Sequence, residues 1–140
     1  NLIAGLIRQL PLIPVMGNGE YKMQPVPVEL IAQGFANALE LDVAAGKTYL
    51  CGGKDCLSYN QLLDTVGAAL GKKSVRKIFQ PLALMRPLVS ILQYLPFFPM
   101  TSDQLQMLLE GNCCDTSDWL NDLGLELPTF QEGVEYLNIK

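Results

Sequence analysis

Apolar positions along the chain follow two periods, and proline and glycine mark where one gives way to the other. Leu2, Ile3, Leu6, Ile7 and Leu10 recur at helical spacing, and Pro11 ends that helix. "LIPV" reads as a short strand, and "GNGE" as a turn, since Gly17, Asn18 and Gly19 tolerate positive φ. "YKMQPVPV" is extended, because a residue preceding proline is pushed out of the helical region. Its prolines donate no ladder hydrogen bond, so the strand is short or at a sheet edge. From Glu29 to Leu41 the period returns to helical, with Leu30, Ile31, Gly34, Phe35, Ala38 and Leu39 forming a broad apolar stripe.

"GKTYLCGG" reads as a further strand closed by glycines. The helix after it carries a capping box, Ser58 with Gln61, and Gly71 ends it. "SVRKIFQP" is another short strand. "PLALMRPLVSILQYL" is helical in pattern, with Pro87 expected to kink or split it. Thr101 with Gln104 and Thr129 with Glu132 form two more capping boxes. Between them, Thr116 or Ser117 caps a helix that Gly124 ends. Strands interleaved with helices define an α/β chain, and its 140 residues are one domain by length.

Composition narrows the function. Hydrophobic residues make up 49% and charged residues 17%, which supports a packed core. The net charge of -4 argues against nucleic acid as a partner, and the basic cluster Lys72, Lys73, Arg76 and Lys77 reads as a solvated face. The longest uncharged run of the second half, "PLVSILQYLPFFPMTS", contains three prolines and is too short for a transmembrane segment.

Candidate chemistry is sparse. There is no histidine, so the commonest general base and metal ligand are absent. Cys51, Cys56, Cys113 and Cys114 form no CxxC pair. They read as reduced, mostly buried thiols of a cytoplasmic protein, with Cys113 or Cys114 the candidate for a reactive one. No glycine-rich phosphate loop opens a helix after a strand. "ILQYLPFFPM" is the most unusual composition; it reads first as core packing between helices, and alternatively as an apolar patch facing a partner, a lipid or an apolar substrate, with Tyr94, Phe97 and Phe98 as its anchors.

The order of these stretches carries a resemblance. "MGNGEYKMQPVPVELIAQGFANALE" is similar to the segment of extended and atypical short-chain dehydrogenases/reductases in which a glycine turn leads through Gln24, Pro25, Val26, Pro27 and Val28 into a helix. "GKTYLCGGKDCLSYNQLLDTVGAALGKK" looks like the next unit of those proteins. "LPFFPMTSDQLQMLLEGN" and "LGLELPTFQEGVEYL" resemble the subgroup related to the NAD(P)H-binding accessory subunit of respiratory complex I. The resemblance covers essentially the whole chain.

It implies that residues 1–140 form a single C-terminal, substrate-side lobe of an extended Rossmann-type protein of the NAD-dependent epimerase/dehydratase kind. The N-terminal Rossmann part, with its dinucleotide-binding glycines and Tyr-x-x-x-Lys pair, would precede Asn1 and would be this lobe's first partner. NAD or NADP would bind the intact protein and not this chain, which would hold no catalytic, cofactor-binding or metal-binding residue. Asn18, Lys22, Gln24 and Pro25 would lie on the substrate side. Sugar-nucleotide members commonly carry an arginine before this strand to hold a diphosphate; here Lys22 offers a point charge without a bidentate fork. The resemblance also admits an assembly module without catalysis. Without the Rossmann part, Thr48–Cys51 and the apolar face of Leu2–Ile7 are expected to lose their cover and to join copies of the chain. A cytoplasmic location, free or at a membrane periphery, completes the expectation.

Overall fold

Seven helices and four short strands follow one another in the computed structural model, which describes residues 2–94, 101–135 and 137. Helix α1 (Leu2–Gln9) leads into β1 (Ile13–Met16), the glycine turn and β2 (Lys22–Met23). Helix α2 (Val28–Glu40) ends at a 3-10 turn, Asp42–Ala44. After a long extended stretch come β3 (Leu57–Ser58), α3 (Tyr59–Ala69), β4 (Lys77–Gln80) and α4 (Leu82–Leu92). Helices α5 (Ser102–Glu110), α6 (Ser117–Leu123) and α7 (Phe130–Val134) complete the described chain. The α/β class read from the sequence is the class observed.

The strands make two small sheets. β1 pairs with β4 in parallel, Ile13 opposite Lys77 and Met16 opposite Gln80. β2 pairs antiparallel with β3, Lys22 opposite Ser58. A parallel pair needs a long crossover, and here β2, α2 and α3 all lie within it.

Two separate apolar nuclei form. In the first, α1, β1, α3 and α7 bring together Ala4, Ile7, Ile13, Val15, Leu62, Leu63, Val66 and Val134. In the second, Trp119, Leu123 and Leu125 pack under α2 against Leu30, Ile31 and Ala38. Gly34 is the buried residue of α2 because the Trp119 ring occupies its side-chain space: a Cβ there would meet Cζ3 at 3.0 Å. The predicted stripe of α2 therefore divides. Leu30, Ile31, Gly34 and Ala38 face Trp119, whereas Phe35 and Leu39 point into solvent, Leu39 with 90% of its surface exposed. On α1, Ala4 and Ile7 are buried and Leu2 is outside.

Local signals held best where a side chain closes on its own backbone. All three capping boxes form: Ser58 with Gln61, Thr101 with Gln104, and Thr129 with Glu132. Gly71 and Gly124 adopt positive φ at the ends of α3 and α6. The cap of α6 differs from expectation, since neither Thr116 nor Ser117 supplies it. Asp115 Oδ1 instead accepts the Ser117 N–H at 2.9 Å and its hydroxyl at 2.5 Å. Pro87 does not split α4; it lies inside the helix on an exposed face.

Two expectations fail. Thr48–Cys51 makes no ladder among the described residues, because no strand lies alongside it and β-propensity alone does not make a strand. The basic cluster is not wholly solvated either. The Lys77 side chain is largely covered and pairs with Asp64 at 2.7 Å, and the Lys72 ammonium donates to the Ile7 carbonyl.

The stretch after α2 is instead fixed by polar contacts to α6. Asp122 Oδ2 accepts from Lys47 Nζ at 2.6 Å and from the Tyr49 hydroxyl at 2.9 Å. Hydrogen bonds from Lys47 and then Tyr49 hold the Asp122 carboxyl below the usual range, and the bond to Asp122 holds Lys47 above its own. A depressed carboxyl contributes stability above its unfolded pKa and loses it as pH falls through the folded value. A raised ammonium contributes below its unfolded pKa and loses that contribution as pH rises through the folded value. Asp122→Asn is therefore expected to lower the urea midpoint at neutral pH. The difference from the parent chain should vanish in acid below the carboxylate range, and a gap independent of pH would contradict this account.

Candidate functional site

The proline-interrupted stretch is the hub of the structure. Met23 packs on the first apolar nucleus and Val26 on the second, so residues 23–26 pass from one to the other. Between them the Gln24 side chain uses both ends of its amide. Nε2 donates to the Gly53 carbonyl at 2.7 Å, and Oε1 accepts the Cys114 N–H at 2.7 Å. The Gly53 N–H donates to the Gln24 carbonyl at 3.3 Å. Three segments distant in sequence thus meet at one residue.

Glycine is required on the facing segment. A Cβ on Gly53 would lie 1.8 Å from the Pro25 carbonyl oxygen, inside any contact distance, and one on Gly52 would lie 2.7 Å from the Gln24 amide carbon. The third segment is held covalently. Cys56 and Cys113 form a disulfide with Cα atoms 5.9 Å apart, well within the range such bonds span. This overturns the reading of four reduced thiols, and Cys113 is no reactive one. The Asn112 N–H adds a backbone bond to the Lys22 carbonyl at 2.7 Å. Cys51 is exposed and Cys114 partly buried, and both are free. Burial pushes the Cys51 thiol up, and so, secondly, does the neighbouring Cys114.

The four residues expected on the substrate side occupy different surroundings. Pro25 lines a cleft of about 320 Å³ between the start of α2 and α7, with Val26, Glu29, Pro128 and Phe130 among its walls. Lys22 is exposed and lines a separate groove of about 350 Å³ with Met107, Glu110 and Asn112. Gln24 lies between these openings with both amide ends engaged. Asn18 is apart from all three, in the glycine turn. Its Oδ1 accepts the Glu20 N–H at 3.1 Å and its carbonyl accepts from Asn60 Nδ2 at 2.8 Å, which latches the turn to the start of α3. Tyr94 is exposed at the end of α4, and Phe97 and Phe98 lie outside the described residues.

Sequence reasoning missed the Cys56–Cys113 bond, the double use of Gln24 and the stacked pair Tyr21–Tyr59, whose rings are 5.3 Å apart. Burial first and Tyr59 second push the Tyr21 hydroxyl far up, so it stays protonated. No group of three or more His, Cys, Asp or Glu residues among those described is arranged to hold a metal ion. The site as built joins segments and frames two openings.

No protein-family model matches the chain, and no curated protein matches its sequence. Its fold does match a solved structure, UDP-glucuronic acid 4-epimerase from Bacillus cereus in complex with NAD. The TM-score is 0.61 at 16% sequence identity, over 96% of this chain and 35% of that one. The chain thus spans about a third of the length of the protein it matches, and at this identity the likeness is one of fold.

Gln24→Ala removes a donor and an acceptor from partly buried backbone groups and is expected to cost about 2 kcal/mol in urea unfolding. Gln24→Glu keeps the acceptor for the Cys114 N–H and loses the donor to Gly53, so its cost should be comparable or larger only if the new carboxylate repels the Gly53 carbonyl. Gly53→Ala should prevent folding. Reducing Cys56–Cys113, which spans 57 residues, should lower stability by about 4 kcal/mol if chain entropy governs. Unchanged midpoints for Gln24→Ala would remove the amide from its place as hub.

Proposed function

We propose that the chain is the C-terminal, substrate-side lobe of an NAD(P)-dependent oxidoreductase or epimerase of the extended or atypical short-chain dehydrogenase/reductase type. It would form one wall of the substrate cleft and have no activity alone. The observation that carries this reading is the likeness of nearly the whole chain to about a third of an NAD-bound epimerase. The order of sequence motifs, with Gln24-Pro25-Val26-Pro27-Val28 entering a helix, supports it independently.

Surface chemistry supports it too. Parallel strands are normally buried on both faces. In β4, successive residues Ile78 and Phe79 face opposite sides of the sheet and are 50% and 53% exposed. A two-stranded parallel sheet with apolar side chains open on both faces fits a lobe that packs on a larger unit, here a Rossmann part that would bring NAD or NADP. Lys22, Gln24 and Pro25 would lie near the substrate, Lys22 as a point charge toward an anionic group. Asn18, latched to α3, would act from further off.

A second reading is an assembly module related to the nucleotide-binding accessory subunit of complex I. The outward apolar residues of α2, Val28, Phe35 and Leu39, favour it, because they offer a contact face that a cleft wall does not need. A Tyr-x-x-x-Lys pair in the complete reading frame would favour the enzyme, and its loss the assembly role. The proposed location is the cytoplasm. No helix among the described residues is long and apolar enough to cross a membrane. Disulfides are rare in reducing compartments, so a cytoplasmic protein would hold Cys56–Cys113 as a bond that responds to redox state.

Expression of the complete reading frame beside this chain tests the assignment. Calorimetry should show micromolar NAD or NADP binding by the complete protein and none by the chain of 140 residues, which lacks the glycines that bring pyrophosphate to a helix N-terminus. Micromolar binding by the chain alone would overturn it. On a sizing column with light scattering, the chain alone should self-associate through its uncovered apolar faces, the face of Leu2–Ile7 or the stretch Thr48–Cys51 among them. A monomer at high concentration would exclude that partner surface.

A further inference from the structure

All four cysteines of the chain fall in two segments that the structure holds side by side. Cys56 and Cys113 already join residues 51–56 to residues 112–114. The Gln24 amide bridges the Gly53 carbonyl and the Cys114 N–H, which fixes the same two segments a second time. Cys51 lies two residues before Gly53, and Cys114 follows Cys113 directly. The intervening Gly52 packs against the Gln24 side chain, so the backbone that carries Cys51 is held in place. Gly53 and Cys114 sit at the two ends of one Gln24 amide, which brings the backbone two residues after Cys51 beside that of Cys114.

We propose that Cys51 and Cys114 are a resolving thiol pair that closes a second disulfide beside Cys56–Cys113 when the protein meets a disulfide oxidant of the glutathione type. Cys51 is the exposed member and receives the oxidant, while Cys114 is half-covered and resolves the intermediate. The Cys51 thiolate attacks one sulfur of oxidised glutathione, and the first glutathione leaves as a thiolate and takes up a proton. The Cys114 thiolate then attacks the Cys51 sulfur of the mixed disulfide, the second glutathione leaves, and the protein sulfur–sulfur bond forms. Two protein thiols lose two electrons and two protons, and one oxidised glutathione becomes two reduced ones. Closure would tie the stretch after Tyr49 to the loop before α6 and so stiffen the passage between the two openings flanking Gln24.

The experiment treats the dilute chain with oxidised glutathione, blocks remaining thiols with N-ethylmaleimide and maps the products by mass spectrometry without reduction. Two free thiols per chain are expected before treatment and none after it. The mass should fall by two hydrogens, with a peptide containing Cys51 joined to one containing Cys114 and the Cys56–Cys113 bond intact. Cys114→Ser should instead stop at a stable glutathione adduct on Cys51. The closure rate should rise about tenfold per pH unit through and above neutrality, since thiolate is the attacking species and the Cys51 thiol is held up. A stable glutathione adduct on Cys51 of the unmodified chain would overturn the proposal. So would a Cys51–Cys51 dimer, or scrambling of either free thiol onto Cys56 or Cys113.

Discussion

The contact between Gly53 and Pro25 is the constraint on which the rest of the structure depends. A carbonyl oxygen occupies the space that any side chain at Gly53 would need. That approach lets the Gln24 amide reach both Gly53 and Cys114, and it sets the segment that leads into β3 and α3. The same four residues carry the chain from the first apolar nucleus to the second. Neither nucleus is large. Three buried side chains form the second, and its position under α2 relies on polar ties as well as on packing. Asn37 Nδ2 donates to the Leu123 carbonyl at 2.7 Å, and Asp122 gathers Lys47 and Tyr49. A small domain with divided nuclei gains less from burial than one with a single core. A covalent link between residues 56 and 113 compensates by limiting the unfolded ensemble.

Proline has a specific place in this arrangement. Pro25 and Pro27 lack N–H groups, so the stretch between β2 and α2 cannot extend the β2–β3 ladder. The chain leaves the sheet there and turns into α2, whose first N–H donors, at Leu30 and Ile31, reach the Pro27 carbonyl at 3.2 and 3.3 Å. The interruption frees the backbone of Gln24 and Pro25 to meet Gly53 instead of a neighbouring strand. A strand that stops early is thus the condition for the clasp, and the clefts on either side of it follow from the same departure.

Legibility from sequence followed the range of each interaction. The capping boxes, the positive-φ glycines and the existence of β1 and β4, though not their pairing, were readable because their cause lies within a few residues. The stripe of α2 was readable as apolar, yet its division was not, since Phe35 and Leu39 differ from Ile31 only in whether Trp119 lies opposite. The strand read at Thr48–Cys51 failed for a related reason: its residues favour pairing, but a ladder needs a neighbour that the sequence does not specify. The disulfide joins cysteines 57 residues apart, and no local spacing encodes it. At the candidate site, Gln24 and Pro25 were picked out through a family pattern. Their contact with Gly53 was not read: the pair Gly52-Gly53 was taken as the close of a strand, whereas it marks close backbone approach.

The uneven finish of the surface bears on what this domain is for. Capped helices, a latched turn and a cross-linked clasp indicate a chain whose local choices agree with one another. β4 nevertheless leaves Ile78 and Phe79 open on opposite faces, and α2 turns Phe35 and Leu39 outward. Scattered apolar residues on a surface mean little, but a parallel pair buried along β1, at Ile13 and Val15, and left half open along β4 does, because parallel sheets are stable mainly when covered on both sides. The open side of that small sheet is the part of the surface where apolar side chains and a parallel ladder coincide. The clasp at Gln24 directly follows β2, which pairs with β3 and not with β1 or β4. The apolar side of β4 and the clasp with its two clefts therefore belong to different sheets, and covering one does not by itself bury the other.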